Sequence, residues 1–217
     1  MSIFFAAVVA VVSIGFGAAS VSAAIADPLI EQQWGLTAIG AREVWNQSTG
    51  VGVTVAVIDS GSGPHPDLDA NLLPGRSIIN DDETSGANDV NVEKGHGTHV
   101  AGIVAAINGN GIGVSGVAPN ARILPLRVFR AGEESNPSDV ARAIRFAVDS
   151  GVKVINLSLG GESETFPIRD ALRYAVDHNV LVVAAAGNAS ASGTPRWPAA
   201  DDNTLAVTAI DEDKSVA

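Results

Sequence analysis

Two of the chain's four histidines, His96 and His99, stand three residues apart in a segment rich in glycine and other small residues. The segment continues to Ala106 as an apolar run, which is typical of a helix whose first turn lies deep inside a fold. Glycines there let a neighbouring backbone or a bound molecule come close. A histidine at such a helix start, exposed at its tip, is well placed to transfer protons.

A carboxylate partner for this histidine is predicted at the end of an apolar run. Val53–Ile58 is apolar nearly throughout, which is typical of a strand buried on both faces of a parallel sheet, and Asp59 follows it directly. Functional sites in open α/β sheets form at the carboxyl ends of the strands. There Asp59 would accept a hydrogen bond from one ring nitrogen and orient the imidazole, while Asn188 could donate to a developing oxyanion.

Other roles for these residues remain open from the residues alone. Asp59 at a strand end is also compatible with a phosphoacceptor or a metal-binding carboxylate. His96 and His99 have the helical spacing of a metal pair, although no third ligand lies close in sequence. Asn188 is compatible with a turn cap, and Asn110 with an ordinary left-handed turn residue.

The rest of the chain alternates apolar strand-like runs with amphipathic helical segments, which predicts a doubly wound, mainly parallel sheet flanked by helices. We expect one helix from about Ser138, capped by Ser138 and Asp139, and another that buries Ile168, Leu172, Tyr174 and Val176. The expected strands after the first are Arg122–Phe129, Val152–Leu157, Val180–Ala184 and Thr204–Ile210.

Composition limits the classes of partner and of stabilising site. The chain has 217 residues, 46% of them hydrophobic, and a formal net charge of −11. An acidic chain is a poor fit to nucleic acid or to an anionic membrane surface as its main partner. No cysteine is present, which excludes disulfides and cysteine metal sites but leaves room for oxygen-ligated cations such as calcium.

The N-terminal segment is distinct from the predicted domain. Ile3 to Ala19 is almost continuously apolar, and Val21–Ala23 supplies small residues of the kind found at signal-peptide cleavage sites. We therefore expect a signal peptide at 1–23, a single domain at 24–217 and secretion. An uncleaved membrane anchor is the alternative, although glycine and serine interrupt the apolar run.

Four blocks of this sequence together resemble a known family. Val-Ala-Val-Ile-Asp59-Ser-Gly, His96-Gly-Thr-His-Val-Ala-Gly, Asn156-Leu-Ser158-Leu-Gly-Gly and Ala-Ala-Ala-Gly-Asn188 are similar, in order and spacing, to signature blocks of the subtilisin-like serine proteases. The resemblance extends from about Asp27 to the end of the chain. It implies a subtilisin-like fold, a monomer, polypeptide substrates, no organic cofactor, and hydrolysis of peptide bonds through an Asp-His-Ser triad.

The resemblance also implies roles for individual residues. Asp59 would orient His96, His96 would act as general base and acid, and Asn188 would donate to the oxyanion. A primary specificity segment would bind one substrate side chain, and it consists of Ser158, Leu159 and Gly160. A second segment would pair with extended substrate, and it consists of Glu133, Glu134 and Ser135. The two glutamates would favour basic substrate residues.

A structural calcium ion is a further implication of the resemblance. The side chains of Asp27, Asp67 and Asn110 would hold it together with main-chain carbonyls of Ile107, Ile112 and Val114. Such an all-oxygen ligand set suits Ca²⁺.

One element of the family pattern is not found in this sequence. The family's nucleophile lies in a Gly-Thr-Ser-Met-Ala block, and no Gly-Thr-Ser occurs here. We expect the chain to be the N-terminal part of a protease, incomplete at its C-terminus and inactive without its serine. The alternative is a catalytically inactive, calcium-binding peptide-recognition domain.

Overall fold

The computed structural model describes residues 26–79, 88–90, 95–130, 132, 134–187 and 195–216. These residues form a parallel sheet with the strand order β2-β3-β1-β4-β5-β6. The strands are β1 Thr54–Asp59, β2 Arg76–Ser77, β3 Arg122–Arg127, β4 Val154–Leu157, β5 Leu181–Ala185 and β6 Leu205–Val207. The helices are α1 Trp34–Ala38, α2 Ala41–Val44, α3 His96–Ala105, α4 Pro137–Asp149 and α5 Phe166–Asp177.

Helices cover both faces of the sheet. Strand β1 presents Val55 and Val57 to α3 on one face, whereas Ala56 and Ile58 face α4 and α5 on the other. Helix α3 lies between β1 and β3 in the chain, α4 between β3 and β4, and α5 between β4 and β5. This arrangement confirms the predicted doubly wound, mainly parallel fold.

The central strand β1 is buried because it pairs on both sides and carries apolar residues in both directions. Val55 to Ile58 are each at most 7% exposed. Parallel pairing with β3 and β4 satisfies the backbone of the strand, so it needs no solvent contact. Asp59 is the last residue of β1 and is carried with the strand into the interior.

The helix boundaries show one correction. Helix α4 begins at Pro137, and its cap is Asn136, whose side chain accepts from the Ser138 amide at 2.8 Å. The predicted cap at Ser138 and Asp139 was therefore wrong by two residues. Proline is well suited to the first helical position because its missing N–H would be unpaired there anyway.

Helix α5 buries a slightly different face from the one predicted. Ile168 and Leu172 are buried as expected, together with Ala171 and Ala175. Val176 is 45% exposed and Tyr174 is only partly buried. Tyr174 lies at the edge of the core, where its hydroxyl donates to Asp149 Oδ1 of α4 at 2.8 Å. Among the described helices, none has the length and apolar character that crossing a membrane requires.

Candidate active site

Asp59 provides a buried negative charge at the carboxyl end of the central strand. Its residue surface is 1% exposed, and the Ser60 amide donates to its Oδ1 at 2.7 Å. The other oxygen, Oδ2, has no hydrogen-bond partner among the described residues. A carboxylate with so few donors keeps most of its negative potential for whatever lies opposite it.

The group opposite Asp59 is the imidazole of His96, the first residue of α3. His96 Nδ1 lies 2.8 Å from Asp59 Oδ1. An ionised carboxylate only accepts hydrogen bonds, so Nδ1 carries the proton and Nε2 carries the lone pair. The side chain of His96 is 47% exposed, which leaves this second nitrogen accessible to a reacting group. The pair therefore has the geometry of an oriented general base.

Helix α3 comes this close to the sheet because its second residue is Gly97. A Cβ built on Gly97 would lie 1.9 Å from the Gly61 carbonyl oxygen and 3.2 Å from the Asp59 Cβ. No side chain fits at that separation. The small-residue pattern around His96 thus reflects a backbone contact between the start of α3 and the segment after β1.

A residue that sequence reasoning did not single out, Asp89, fixes the start of α3. Its Oδ2 accepts from the Thr98 amide at 2.8 Å and from Thr98 Oγ1 at 2.7 Å, and its Oδ1 accepts from Ser60 Oγ at 2.8 Å. Ser60 Oγ in turn accepts from the Gly97 amide at 3.0 Å. The available signal was an aspartate shortly before a helix start, where carboxylates satisfy free amide groups.

His99 is exposed on the outer side of α3. Helix α3 buries Ala101 and Ala105 against the sheet, so His99 faces away from it. The described residues contain no group of three or more histidine, cysteine or acidic side chains arranged for a metal. The pair His96 and His99 therefore lacks a third described ligand, and His96 is engaged by Asp59.

The predicted substrate-binding residues Ser158, Leu159 and Gly160 follow β4 at the same edge of the sheet. Ser158 Oγ accepts from the Asn156 amide group at 2.9 Å. Leu159 and Gly160 line a cleft of about 690 Å³, and Glu134 and Ser135 line it as well. The structure thus brings together the two segments that were predicted to bind substrate.

Two predicted site residues, Glu133 and Asn188, lie outside the described residues. Gly187 is the last described residue before Asn188, and it follows β5 at the same edge as Asp59. The role of Asn188 stays a prediction.

The predicted calcium residues form a second polar cluster, separate from the Asp59–His96 pair. Asp27, 2% exposed, accepts from three consecutive main-chain amides at 3.0 to 3.2 Å and from Ser115 Oγ. The amides belong to Gly109, Asn110 and Gly111. Asp67, also 2% exposed, accepts from Asn110 Nδ2 at 2.8 Å and from the Val114 amide at 2.8 Å.

The loop that surrounds these carboxylates is shaped to approach them closely. A Cβ on Gly113 would lie 2.1 Å from Asp67 Oδ2, and Gly113 has a φ of +55°. Ile107 donates its amide to the Asp67 carbonyl at 2.9 Å, which ties the other end of the loop to the same residue. Gln33, which sequence reasoning missed, contacts the amide and the carbonyl of Ser115, each at 2.8 Å.

This second cluster has the chemistry of a site for a hard cation. Two almost fully buried carboxylates share Asn110 as a neighbour, and no described salt bridge involves either of them. Buried carboxylates without a cationic partner are costly. A cation held by Asp27, Asp67, the Asn110 side-chain oxygen and loop carbonyls would remove that cost.

Comparison with known proteins agrees with this geometry. The family model of the Subtilase family matches residues 50–217. Subtilisin Savinase of Lederbergia lenta is 40% identical over 186 residues, which cover 85% of this chain and 65% of the relative. Thermitase of Thermoactinomyces vulgaris is 38% identical over 182 residues, covering 83% of this chain and 63% of the relative.

An alkaline protease of Alkalihalobacillus alcalophilus is 40% identical over 186 residues, covering 85% of this chain and 46% of the relative. The chain thus spans about half to two thirds of the length of these relatives. Among solved structures, a protease of Pseudoalteromonas arctica superposes with a TM-score of 0.80 at 33% identity, over 90% of this chain and 68% of that chain. Because the family model matches most of the chain and the fold is shared, this chain belongs to the subtilase family.

Proposed function

We propose that this chain is part of a serine-type endopeptidase in which Asp59 and His96 are two members of an Asp-His-Ser triad. The observation that carries the proposal is the 2.8 Å contact between His96 Nδ1 and the buried Asp59 Oδ1. The family membership supports it. The nucleophilic serine is contributed by chain outside these 217 residues, in agreement with relatives that extend well beyond the matched region.

The chemistry assigned to these residues is acyl transfer. His96 Nε2 takes the proton of the serine hydroxyl as Oγ attacks the scissile carbonyl, and then returns it to the leaving amine. Asp59 stays ionised, holds Nδ1–H and stabilises the imidazolium. Asn188 donates its side-chain N–H to the oxyanion. Because Asp59 Oδ2 accepts no hydrogen bond from the described residues, the charge of the carboxylate acts mainly on His96.

Polypeptide substrate lies in the cleft between the Ser158–Gly160 segment and the Glu133–Ser135 segment. Main-chain hydrogen bonds from both segments hold an extended peptide, because exposed backbone at a strand end pairs readily with a further strand. Leu159 and Gly160 then face the substrate side chains. We further propose secretion of the protein, directed by residues 1–23, which lie outside the described residues.

The test of the triad uses the complete gene product that carries these 217 residues, treated with a fluorophosphonate probe that reacts only with an activated serine. We expect labelling of one serine, loss of labelling in His96→Ala, and a fall in peptide hydrolysis of at least about 10³-fold. His178→Ala is the matched control, since His178 is exposed at the end of α5. Equal labelling of wild type and His96→Ala would rule the proposal out.

The second candidate is a catalytically inactive, calcium-binding peptide-recognition domain. It is favoured by one observation, the absence of a Gly-Thr-Ser sequence from these 217 residues. This candidate predicts that the complete gene product binds peptides saturably in the cleft but is never labelled by the probe. The labelling experiment therefore separates the two candidates.

We also propose that Asp27, Asp67, Asn110 and the carbonyls of Ile107, Ile112 and Val114 hold a structural Ca²⁺. When bound, the ion would supply the positive charge that the two buried carboxylates of Asp27 and Asp67 lack. Calcium should raise the urea midpoint of unfolding, and Asp67→Asn should abolish this increase. Asp69→Asn is the matched control because Asp69 is exposed two residues away. An equal calcium effect in Asp67→Asn would refute the assignment.

A further inference from the structure

Arg196 is the one basic residue among the described residues that line the 690 Å³ cleft. The same cleft is lined by Glu134 and Glu162, so its charge is divided between an arginine and two glutamates. The whole chain has a net charge of −11, so a basic side chain in this cleft is opposite in sign to the overall charge of the protein.

The aliphatic part of Arg196 lies against two glycines that have no side chains to exclude it. A Cβ on Gly187 would lie 3.2 Å from both Cγ and Cδ of Arg196, and a Cβ on Gly160 would lie 3.3 Å from its Cβ. Gly160 belongs to the proposed primary specificity segment, and Gly187 directly precedes Asn188. The stem of Arg196 therefore lies between Gly160 of the specificity segment and Gly187 at the end of β5.

The backbone around Arg196 is fixed to the same two segments. Its amide donates to the Ala186 carbonyl at 2.9 Å, and the next residue, Trp197, exchanges two main-chain hydrogen bonds with Gly161 at 2.7 and 3.1 Å. The starting point of the side chain is thus held by both walls of this part of the cleft. These main-chain contacts fix the position of Arg196 independently of the contacts made by its side chain.

The guanidinium of Arg196 has no partner among the described residues, and the residue is exposed. Three arginines on α5 and α4 are paired, by contrast: Arg145 and Arg173 pair with Asp170, and Arg169 pairs with Glu164. A guanidinium presents several N–H donors in a planar fork that matches a carboxylate. An unpaired one in a cleft is suited to a carboxylate brought by the substrate.

From these contacts we infer that Arg196 selects substrates with an aspartate or glutamate side chain at the residue that supplies the scissile carbonyl. The inference rests on the proposed peptidase function and adds a substrate class to it. Arg196 acts as a specificity-determining residue, because the guanidinium contacts the substrate side chain and not the reacting atoms.

The test compares peptides that differ only at this one position, with glutamate, glutamine or lysine. The complete gene product should hydrolyse the glutamate peptide roughly tenfold better than the glutamine peptide, the size expected of one charge-assisted contact. Arg196→Gln keeps most of the stem on Gly160 and Gly187 but removes the charge, and it should bring the ratio to about one. Arg196→Lys should retain much of the preference.

Arg173→Gln is the matched control, since it removes an arginine charge outside the cleft. It should leave the ratio of glutamate to glutamine unchanged. The preference of wild type should also shrink at high salt, because the contact is exposed. An unchanged ratio of glutamate to glutamine hydrolysis in Arg196→Gln would overturn the inference. It would also be overturned if the wild type preferred small neutral residues and lost that preference only in Arg196→Gly, where the stem is removed.

Failure of the inference is distinguishable from failure of the proposed function. A protein that cleaves all three peptides at a ratio unaffected by Arg196 retains its function and loses the specificity assignment. Should the protein cleave none of them, equilibrium binding of the same peptides by the complete gene product decides the role of Arg196. Tighter binding of the glutamate peptide in wild type than in Arg196→Gln supports the inference, and equal binding refutes it.

Discussion

The β1–β3 end and the β5–β6 end of the sheet differ in how far helices cover their faces. At β1 and β3, helix α3 packs on one face and α4 packs on the other, so residues such as Val57, Ile58 and Ile123 are fully buried. At β5 and β6 only one face is covered by described helices. Val182 and Ala184 are buried there, whereas Leu181 is 48% and Leu205 is 52% exposed.

This difference separates the parts of the site as well. The Asp59–His96 pair belongs to the fully covered end, where backbone contacts leave no space for adjustment. Arg196 and the segment that leads to Asn188 belong to the half-covered end. The proposed general base thus lies in the part of these residues that described helices cover on both faces.

The largest effect should come from a pair of truncations at the two ends. Ile58→Ala removes a fully buried side chain from β1 and should lower the free energy of unfolding by about 2–5 kcal/mol. Leu181→Ala, on the open face of β5, should cost less than about 1 kcal/mol. Urea denaturation measures both. Equal losses would show that the two ends are covered alike.

Two glycines of α3 allow a comparison between a site that packs against a neighbouring backbone and a site that faces open space. Gly97→Ala places a methyl group 1.9 Å from the Gly61 carbonyl oxygen and should destabilise the protein by about 1–3 kcal/mol or more. Gly102→Ala meets nothing within 4 Å and should stabilise by about 0.5–1 kcal/mol through helix propensity. Urea midpoints of the two variants should therefore move in opposite directions.

Removal of the Asp89 carboxylate should have a smaller effect on stability. Asp89→Ala deletes the acceptor for the Thr98 amide at the start of α3 and should cost about 1 kcal/mol, as expected for a helix cap. Because His96 lies two residues before Thr98, hydrolysis by the complete gene product should also fall. A variant with normal stability and normal hydrolysis would contradict this positioning role.

The smallest effect is expected at Asp170 on the outer surface, which links α4 to α5. Hydrogen bonds from Arg173 and then Arg145 hold the pKa of Asp170 below its ordinary value of 3.8. A lowered pKa in the folded state means that the stabilising contribution is present above that ordinary value and is lost as the pH falls through the folded pKa. The stability difference between wild type and Asp170→Asn should therefore shrink in acid.

The measurement is urea unfolding of both proteins near neutral pH and at a pH well below 3.8. Asp177→Asn, at the exposed end of the same helix, serves as the control. The effect is small because the ion pair is open to solvent. A difference that grows in acid would contradict the assignment.

Much of the fold was accessible from the sequence because the signals are local. The apolar run that ends at Asp59 predicted a buried parallel strand, and the structure confirms it as β1. The small-residue run after His96 predicted α3. Signals that depend on packing were less reliable: Val176 was expected to be buried, but α5 buries Ala171 and Ala175 beside Ile168 and Leu172 instead.

Several parts of the candidate site were decided only by tertiary structure. Asp89, Gln33 and Arg196 act through residues far away in the chain, so no local pattern marked them. Asp89 in particular contacts both Ser60 and Thr98, which are 29 and 9 residues away in the chain. Such contacts join segments whose separation in sequence carries no periodic signal.

The sequence by itself determined the residue types at the strand ends and the family to which they point, because motif order and apolar periodicity are written in local sequence. Only the tertiary structure decided which groups meet. The parallel sheet brings Asp59 to its carboxyl edge, the absence of a side chain at Gly97 brings His96 within 2.8 Å of it, and two glycines allow Arg196 into the cleft. Steric exclusion between distant segments, which no local pattern records, is the physical reason.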